Sequence, residues 1–256
     1  MKTRQELAYG IASGLLAEAS IGALTRLSAM AHVVHLAHRF PLRVSPHRDP
    51  SAYLVSPANL LTRHADNFRR LRAQVQRRLG RSGMALVVSP RHAEGRSIAA
   101  LSLSLAFAQK FARVIYVEAD FRRPALRSFF EIPAGGGVAD LLWGRLPLSE
   151  LGACLLPTDA PGLYLLPAGA RADPPEPLDS PRLPEFLARL RAEGDWIILD
   201  SPPLLSYSDA LPLLDLVDGV VVVSLEGRTR DEDLAELSAR LALAQAPIVG
   251  TLTLEP

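Results

Sequence analysis

Residues 84–118 read MALVVSPRHAEGRSIAALSLSLAFAQKFARVIYVE, and the fold follows from this stretch. Met84–Ser89 is a short, nearly all-apolar run of strand length. Ser97–Phe111 places Ile98, Leu101, Leu105 and Ala108 at helical spacing, and Arg113–Glu118 returns to a strand with Val-Ile-Tyr-Val at its centre. Strands that are apolar on both faces belong in a parallel sheet covered on both sides.

The same alternation continues along the chain. Leu163–Pro167, Trp196–Asp200, Gly219–Leu225 and Ile248–Leu252 are further apolar runs. Helical stretches fall around 137–143, 181–193, 208–216 and 230–244. The expected class is α/β, a parallel sheet flanked by helices on both faces. Asn59–Gly80 is an arginine-rich helix closed by Gly80 as its C′ residue. Before it, residues 1–39 have helical composition and residues 40–58 hold Pro41, Pro46, Pro50 and Pro57. Two parts are expected: a helical N-terminal extension with a Pro-rich linker over 1–58, and the α/β domain over 59–256.

Composition narrows the function. With 48% hydrophobic and 21% charged residues in 256, the chain can build a core and is not disordered as a whole. The net charge of +1 argues against a nucleic-acid coat protein. That total conceals a split: residues 1–82 carry 13 basic and 4 acidic side chains, residues 83–256 carry 15 and 23. A single cysteine, Cys154, excludes an internal disulfide and any multi-cysteine metal site. His32, His35 and His38 share one side of a helix but have no nearby carboxylate to complete a zinc site. No run of about 20 uncharged apolar residues is present, so a cytoplasmic protein is expected.

In open parallel sheets ligands bind beyond the carboxyl ends of the strands. Three loops lie there: Ser89–Ser97, Glu118–Pro124 and Asp200–Asp209. The first has the strand, Gly95, Ser97 and helix start of a phosphate-binding loop, but Arg96 where such loops carry lysine. A forked guanidinium does not sit where a lysine ammonium sits, so the exchange is not conservative. The other two loops bring Glu118, Asp120 and Asp200, the residue type needed to hold Mg²⁺ and orient a nucleophile.

From about Asp66 to Leu254 the chain resembles the bacterial tyrosine kinases of the CpsD/CapB type, regulators of capsule and exopolysaccharide chain length. Ser89–Ser97 looks like their Walker A loop. Val117-Glu-Ala-Asp-Phe-Arg-Arg-Pro124 resembles their second aspartate motif, and Ile197-Ile-Leu-Asp-Ser-Pro-Pro203 their Walker B segment. Ser208-Asp-Ala210 and Leu216-Val-Asp-Gly-Val220 also match. Asp66-x-x-Arg69-x-x-Arg72 resembles the helix that packs their subunits into a ring.

The resemblance implies a MinD-like P-loop NTPase fold with ATP and Mg²⁺ as cofactors. Ala93, Glu94, Gly95, Arg96, Ser97 and Ile98 would hold the phosphates, and Ser97 and Asp200 the metal. Glu118, Asp120 and Asp200 would be catalytic, with Arg122 in support. Asp66, Arg69 and Arg72 would serve a homo-oligomer. The implied partner is a membrane polysaccharide co-polymerase, which would recruit the chain to the inner face of the membrane; nucleic acid is not an expected partner.

Departures from the pattern favour weak or absent kinase activity. Arg96 replaces the Walker lysine, Ala93 a loop glycine, and Glu118 the first aspartate of the acidic motif. The tyrosines are Tyr9, Tyr53, Tyr116, Tyr164 and Tyr207, with no C-terminal cluster. Tyr116 and Tyr164 are expected in the core, and Tyr53 exposed. Two other readings are a non-catalytic adaptor and a positioning ATPase of the MinD/ParA type. For the latter, Arg91 stands five residues before Arg96, where those ATPases carry a signature lysine.

Overall fold

The structure is a computed structural model. It describes residues 63–255 apart from 111–112, 131, 134 and 170–175. The expected helical extension and linker over 1–58, with Tyr53 and the three histidines, lie outside the described residues.

Seven strands form one sheet: β1 Gly83–Val88, β2 Val114–Glu118, β3 Leu156–Pro157, β4 Leu163–Leu166, β5 Trp196–Asp200, β6 Gly219–Leu225 and β7 Ile248–Leu254. Their spatial order is β3-β4-β2-β5-β1-β6-β7. Every pairing is parallel except β3 with β4, an antiparallel two-residue edge that has no alternating or apolar signature of its own. The longer helices are α1 Arg63–Leu79, α2 Arg96–Ala108, α3 Leu183–Glu193 and α4 Asp231–Leu243. The short helix Val138–Leu142 falls where one was expected around 137–143, while Leu211–Leu214 is shorter than the stretch expected around 208–216.

Side chains alternate across each strand, and the core splits accordingly. Met84, Leu86, Ile115, Val117, Ile197, Leu199, Val220 and Val222 face one side, where α3 and α4 pack through Phe186, Leu190, Leu237 and Leu241. Ala85, Val87, Val114, Tyr116, Trp196, Ile198, Val221 and Val223 face the other side, under α1 and α2. Phe107 of α2 stacks on Trp196 at 4.2 Å between ring centroids. Both faces are therefore buried, as the apolar runs require. Tyr116 is buried as expected. Tyr164, on β4 one strand in from the edge, is only half-buried and not fully in the core, with the Arg113 guanidinium 4.7 Å from its ring.

α1 follows its apolar pattern. Phe68, Leu71 and Val75 are buried against α2 and β7, while the arginines fall elsewhere around the helix. Gly80 ends it at φ +93°, and its N–H reaches the Gln76 carbonyl at 2.9 Å. That is the C′ role read from the sequence.

The register sets the chemistry. Val87 of β1 and Glu118 of β2 both stand opposite Asp200 of β5. Three adjacent strands thus end at one level, and the loops that follow them converge.

Candidate functional site

The loop after β1 curls through two left-handed residues, Ala93 at φ +59° and Gly95 at φ +78°. At Gly95 glycine is needed twice over, because a Cβ there would overlap the Leu254 side chain. Ala93 bears a Cβ in a conformation that costs an L-residue about 1–2 kcal/mol. Ala93→Gly removes that strain while loosening the unfolded chain by about 0.5–1 kcal/mol. The expected result is a neutral or slightly stabilised protein, read by chemical denaturation, where Ala→Gly at an ordinary site destabilises.

Glu94 braces the loop from within. Its carboxylate is buried and accepts the Arg91 N–H at 2.7 Å and the Thr229 hydroxyl at 2.7 Å. Thr229 comes from the loop after β6, 135 residues away, and nothing in the sequence pairs the two. Helix α2 begins at Arg96, so Gly95, not a serine, is its N-cap. The first-turn amides of a helix have no intrahelical acceptor, and they give this end of the loop an affinity for anions.

Arg96 does not reach toward those amides. Its side chain is 8% exposed and lies across the ends of β2 and β5. Nε–H donates to Asp200 Oδ1 at 2.8 Å, and Nη2–H donates to Asp120 Oδ2 at 2.6 Å. The other oxygen of Asp200 accepts the Tyr116 hydroxyl at 2.8 Å. The second oxygen of Asp120 accepts the backbone N–H groups of Arg122 and Arg123 at 3.2 and 3.0 Å. One guanidinium therefore ties two buried carboxylates whose remaining oxygens are already bonded.

The electrostatics follow from burial and this pairing. Burial alone lowers the pKa of Arg96, but Asp200 and Asp120 outweigh it and the net shift is upward. Burial raises the pKa of Asp120, and Arg96 only partly offsets it. Burial and the neighbouring Asp200 raise the phenol of Tyr116 well above its ordinary value. Arg96 thus carries its charge between the two aspartates.

Glu118 is committed elsewhere. It accepts the Leu126 N–H at 2.6 Å and the Ala168 N–H at 3.0 Å, which pins two loops to the end of β2. Burial raises its pKa against these two bonds. Arg122 forks onto Asp209, with Nη2 at 3.0 Å from Oδ1, and lies 4.3 Å from the centre of the Tyr207 ring. The Tyr207 hydroxyl meets His92 Nε2 at 3.2 Å. Burial, then the Arg123 charge, lowers the pKa of His92. Ser97 and Ile98 line a cleft of about 470 Å³ beside the loop, and Asn67, Phe68, Arg123, Phe129 and Leu254 are among the other residues of its wall. Reading the sequence missed these five and the Tyr116 bond. Tyr116 has the signature of a core residue and is one; its hydroxyl points where only the neighbouring strand explains.

Arg91 is also engaged within the chain. It donates to Asp233 from Nε at 3.0 Å and Nη2 at 2.8 Å, and Arg230 makes a second fork to the same carboxylate. Those hydrogen bonds hold Asp233 well below the usual carboxylate range. A depressed carboxylate stabilises the fold above its unfolded pKa of about 4, and this contribution is lost as pH falls below it. Asp233→Asn is therefore expected to flatten the acid limb of a melting-temperature profile and leave its alkaline limb unchanged.

In α1, Arg69 pairs with Asp66 on the exposed surface. Arg72 turns inward instead: Nη1–H donates to the Ala106 carbonyl at 2.5 Å, at the end of α2. Of the three residues read as an oligomer contact, Arg72 therefore holds its own chain together.

The fit of a metal can be judged from these contacts. Mg²⁺ takes oxygen ligands in near-octahedral geometry, usually one or two carboxylates and the phosphates. Asp120, Asp200 and Glu118 have no oxygen without a partner, and a cation already stands between the first two. Among the described residues no group of three or more His, Cys, Asp or Glu is placed to hold a metal. The loop amides and the cleft fit a nucleotide phosphate; the carboxylates do not fit Mg²⁺.

No family model matches the chain. It is 29% identical over 168 residues to the tyrosine-protein kinase YwqD of Bacillus subtilis, an alignment covering 65% of this chain and 70% of that protein. It superposes on the crystal structure of the VpsO kinase domain with a TM-score of 0.67 and 28% identity, covering 75% of this chain and 95% of the domain. These sequence and structural matches are bacterial tyrosine-kinase domains. Some of these relatives are much longer: the chain spans 23% of the tyrosine-protein kinase ptk of Acinetobacter johnsonii, at 26% identity over 66% of its own length. The fold extends beyond the bacterial tyrosine kinases, to MinD of Pyrococcus horikoshii complexed with Mg-ADP, at a TM-score of 0.55 and 22% identity over 66% of this chain and 68% of MinD. Among the described residues no helix is long and apolar enough to cross a membrane.

Proposed function

We propose that this chain is a bacterial tyrosine-kinase-like P-loop protein of exopolysaccharide or capsule assembly, whose phosphotransfer is weak or lost. It would work through its fold, as the partner of a membrane polysaccharide co-polymerase that holds it at the inner face of the membrane. Self-association through the Asp66 and Arg69 face of α1 belongs to the same proposal. The likeness to bacterial tyrosine kinases supports the setting. The observation that carries the loss of chemistry is the Arg96 guanidinium bound to both Asp120 and Asp200.

What remains of the chemistry follows from the residues. With a bound nucleotide supplying the phosphoryl group, the α2 amides would bind its phosphates. Glu118 would set the loops, Arg122 would hold Asp209, and none of Glu118, Asp120 and Asp200 would be free to accept a proton from an acceptor hydroxyl. The positioning-ATPase reading gains nothing from Arg91, which is spent on Asp233.

The test is phosphotyrosine formation by the purified chain with Mg·ATP and a tyrosine polymer. No signal above background is expected, and Arg96→Lys combined with Ala93→Gly is expected to raise it. Robust phosphorylation by the unaltered chain would overturn the proposal.

A further inference from the structure

A divalent ion in a phosphate site does two things. It neutralises the carboxylates at the strand ends, and it bridges them to the phosphate oxygens. In this chain the first task is already done by a side chain. Arg96 gives each of Asp120 and Asp200 a charge-assisted hydrogen bond of 2.6 and 2.8 Å. Both partners are essentially inaccessible, at 1% and 0% exposure. Because Tyr116 and two backbone amides hold the opposite oxygens, neither carboxylate can rotate an oxygen toward a metal without abandoning a buried partner.

We propose that the Arg96 guanidinium is the resident cation of this site, so that the cleft takes a nucleoside di- or triphosphate in its metal-free form. This rests on the reading of the chain as a P-loop protein with silent chemistry, and it adds the form of the ligand. A metal complexed to a nucleotide would find no unbonded oxygen on Asp120 or Asp200 to bridge to and would meet the Arg96 charge between them. Metal binding also reduces the negative charge on the phosphates, which weakens their attraction to helix amides and arginines.

The cleft has the parts to hold such an anion. The first turn of α2 and the exposed Arg123, which makes no ion pair among the described residues, both line the cleft. Phe68, Phe129, Leu252 and Leu254 give the cleft apolar wall against which a base can pack. Its volume of about 470 Å³ falls in the range of small-molecule pockets. Arg96 cannot serve by swinging into the cleft, because that would leave two buried carboxylates facing one another.

The experiment is a titration of the full chain with fluorescent ADP and ATP analogues, once in excess Mg²⁺ and once in EDTA. Binding in EDTA is expected to be at least as tight as in Mg²⁺, and Arg123→Gln is expected to weaken it in both. In Arg96→Lys, whose compact ammonium can bond only one of the two aspartates well, Mg²⁺ is expected to tighten binding. Its melting curve reports separately whether that variant is folded. Tightening of the unaltered chain by roughly tenfold or more in Mg²⁺ would overturn the inference. Absence of binding in both media would also overturn it. A chain that binds only the magnesium complex yet forms no phosphotyrosine would sink this inference alone; phosphotyrosine formation would sink the functional proposal.

Discussion

Arg96→Ala should destabilise the protein by about 3–5 kcal/mol, the usual cost of removing one partner from a buried ion pair. Asp120 and Asp200 would be left facing each other, both buried and with no cation between them. For a domain of this size each kcal/mol lowers the melting temperature by about 2–4 °C, so a fall of about 6–20 °C is expected in calorimetry. The cause can be separated from lost packing. Replacing all three charges together, as Arg96→Met with Asp120→Asn and Asp200→Asn, should recover much of the loss, because no buried charge then lacks a partner. A triple variant as unstable as Arg96→Ala would show that the side chain stabilises by shape instead. Acidification gives a second check on Arg96→Ala. With Arg96 removed, Asp120 loses the charge that offsets its burial and its neutral form is favoured further, so the variant should lose less than the parent as pH falls.

Gly137→Ala should destabilise by about 3 kcal/mol, the upper end of the range for overpacking, whereas Gly135→Ala should be nearly neutral. Both belong to the run Gly135-Gly-Gly137. A Cβ on Gly135 meets nothing within 4 Å. One on Gly137 would collide with backbone atoms of Pro167 and Gly169, which cannot move aside as a side chain can. The backbone of Gly137 is extended at φ −155°, so the penalty is steric and not conformational. Its consequence reaches the site. The displaced segment carries Ala168, whose N–H holds Glu118. Val138 and Ala139 also donate to the carbonyls of Pro167 and Ala168, at 2.9 Å each. Paired urea denaturations of the two variants measure the contrast. Equal losses at both positions would refute the backbone contact as the cause.

The sequence by itself determined the layered fold and where its loops gather. Those signals are local: apolar runs of strand length, helical spacing between them, and Gly80 to stop α1. Trp196–Asp200 and Gly219–Leu225 agree with the structure residue for residue, because a strand buried on both faces has no freedom in its pattern. Chain order also placed Glu118, Asp120 and Asp200 at strand ends on one edge, and it showed that any cation from the first turn of α2 had to be Arg96. The β3 edge escaped notice because two residues carry no periodicity.

Only the tertiary structure decided what those side chains do. Arg96 lies 24 residues from Asp120 and 104 from Asp200, and the choice between phosphate and carboxylates depends on β2 and β5 being neighbours. Glu118 has the residue type of a catalytic acid and the contacts of a loop anchor. Arg72 has the spacing of a surface contact and the bond of a helix-packing residue. In each case the side chain is long and charged, and burial forces it to find a partner. Periodicity tells which face of an element is buried, but the identity of that partner is fixed by which distant strand or loop the fold brings alongside.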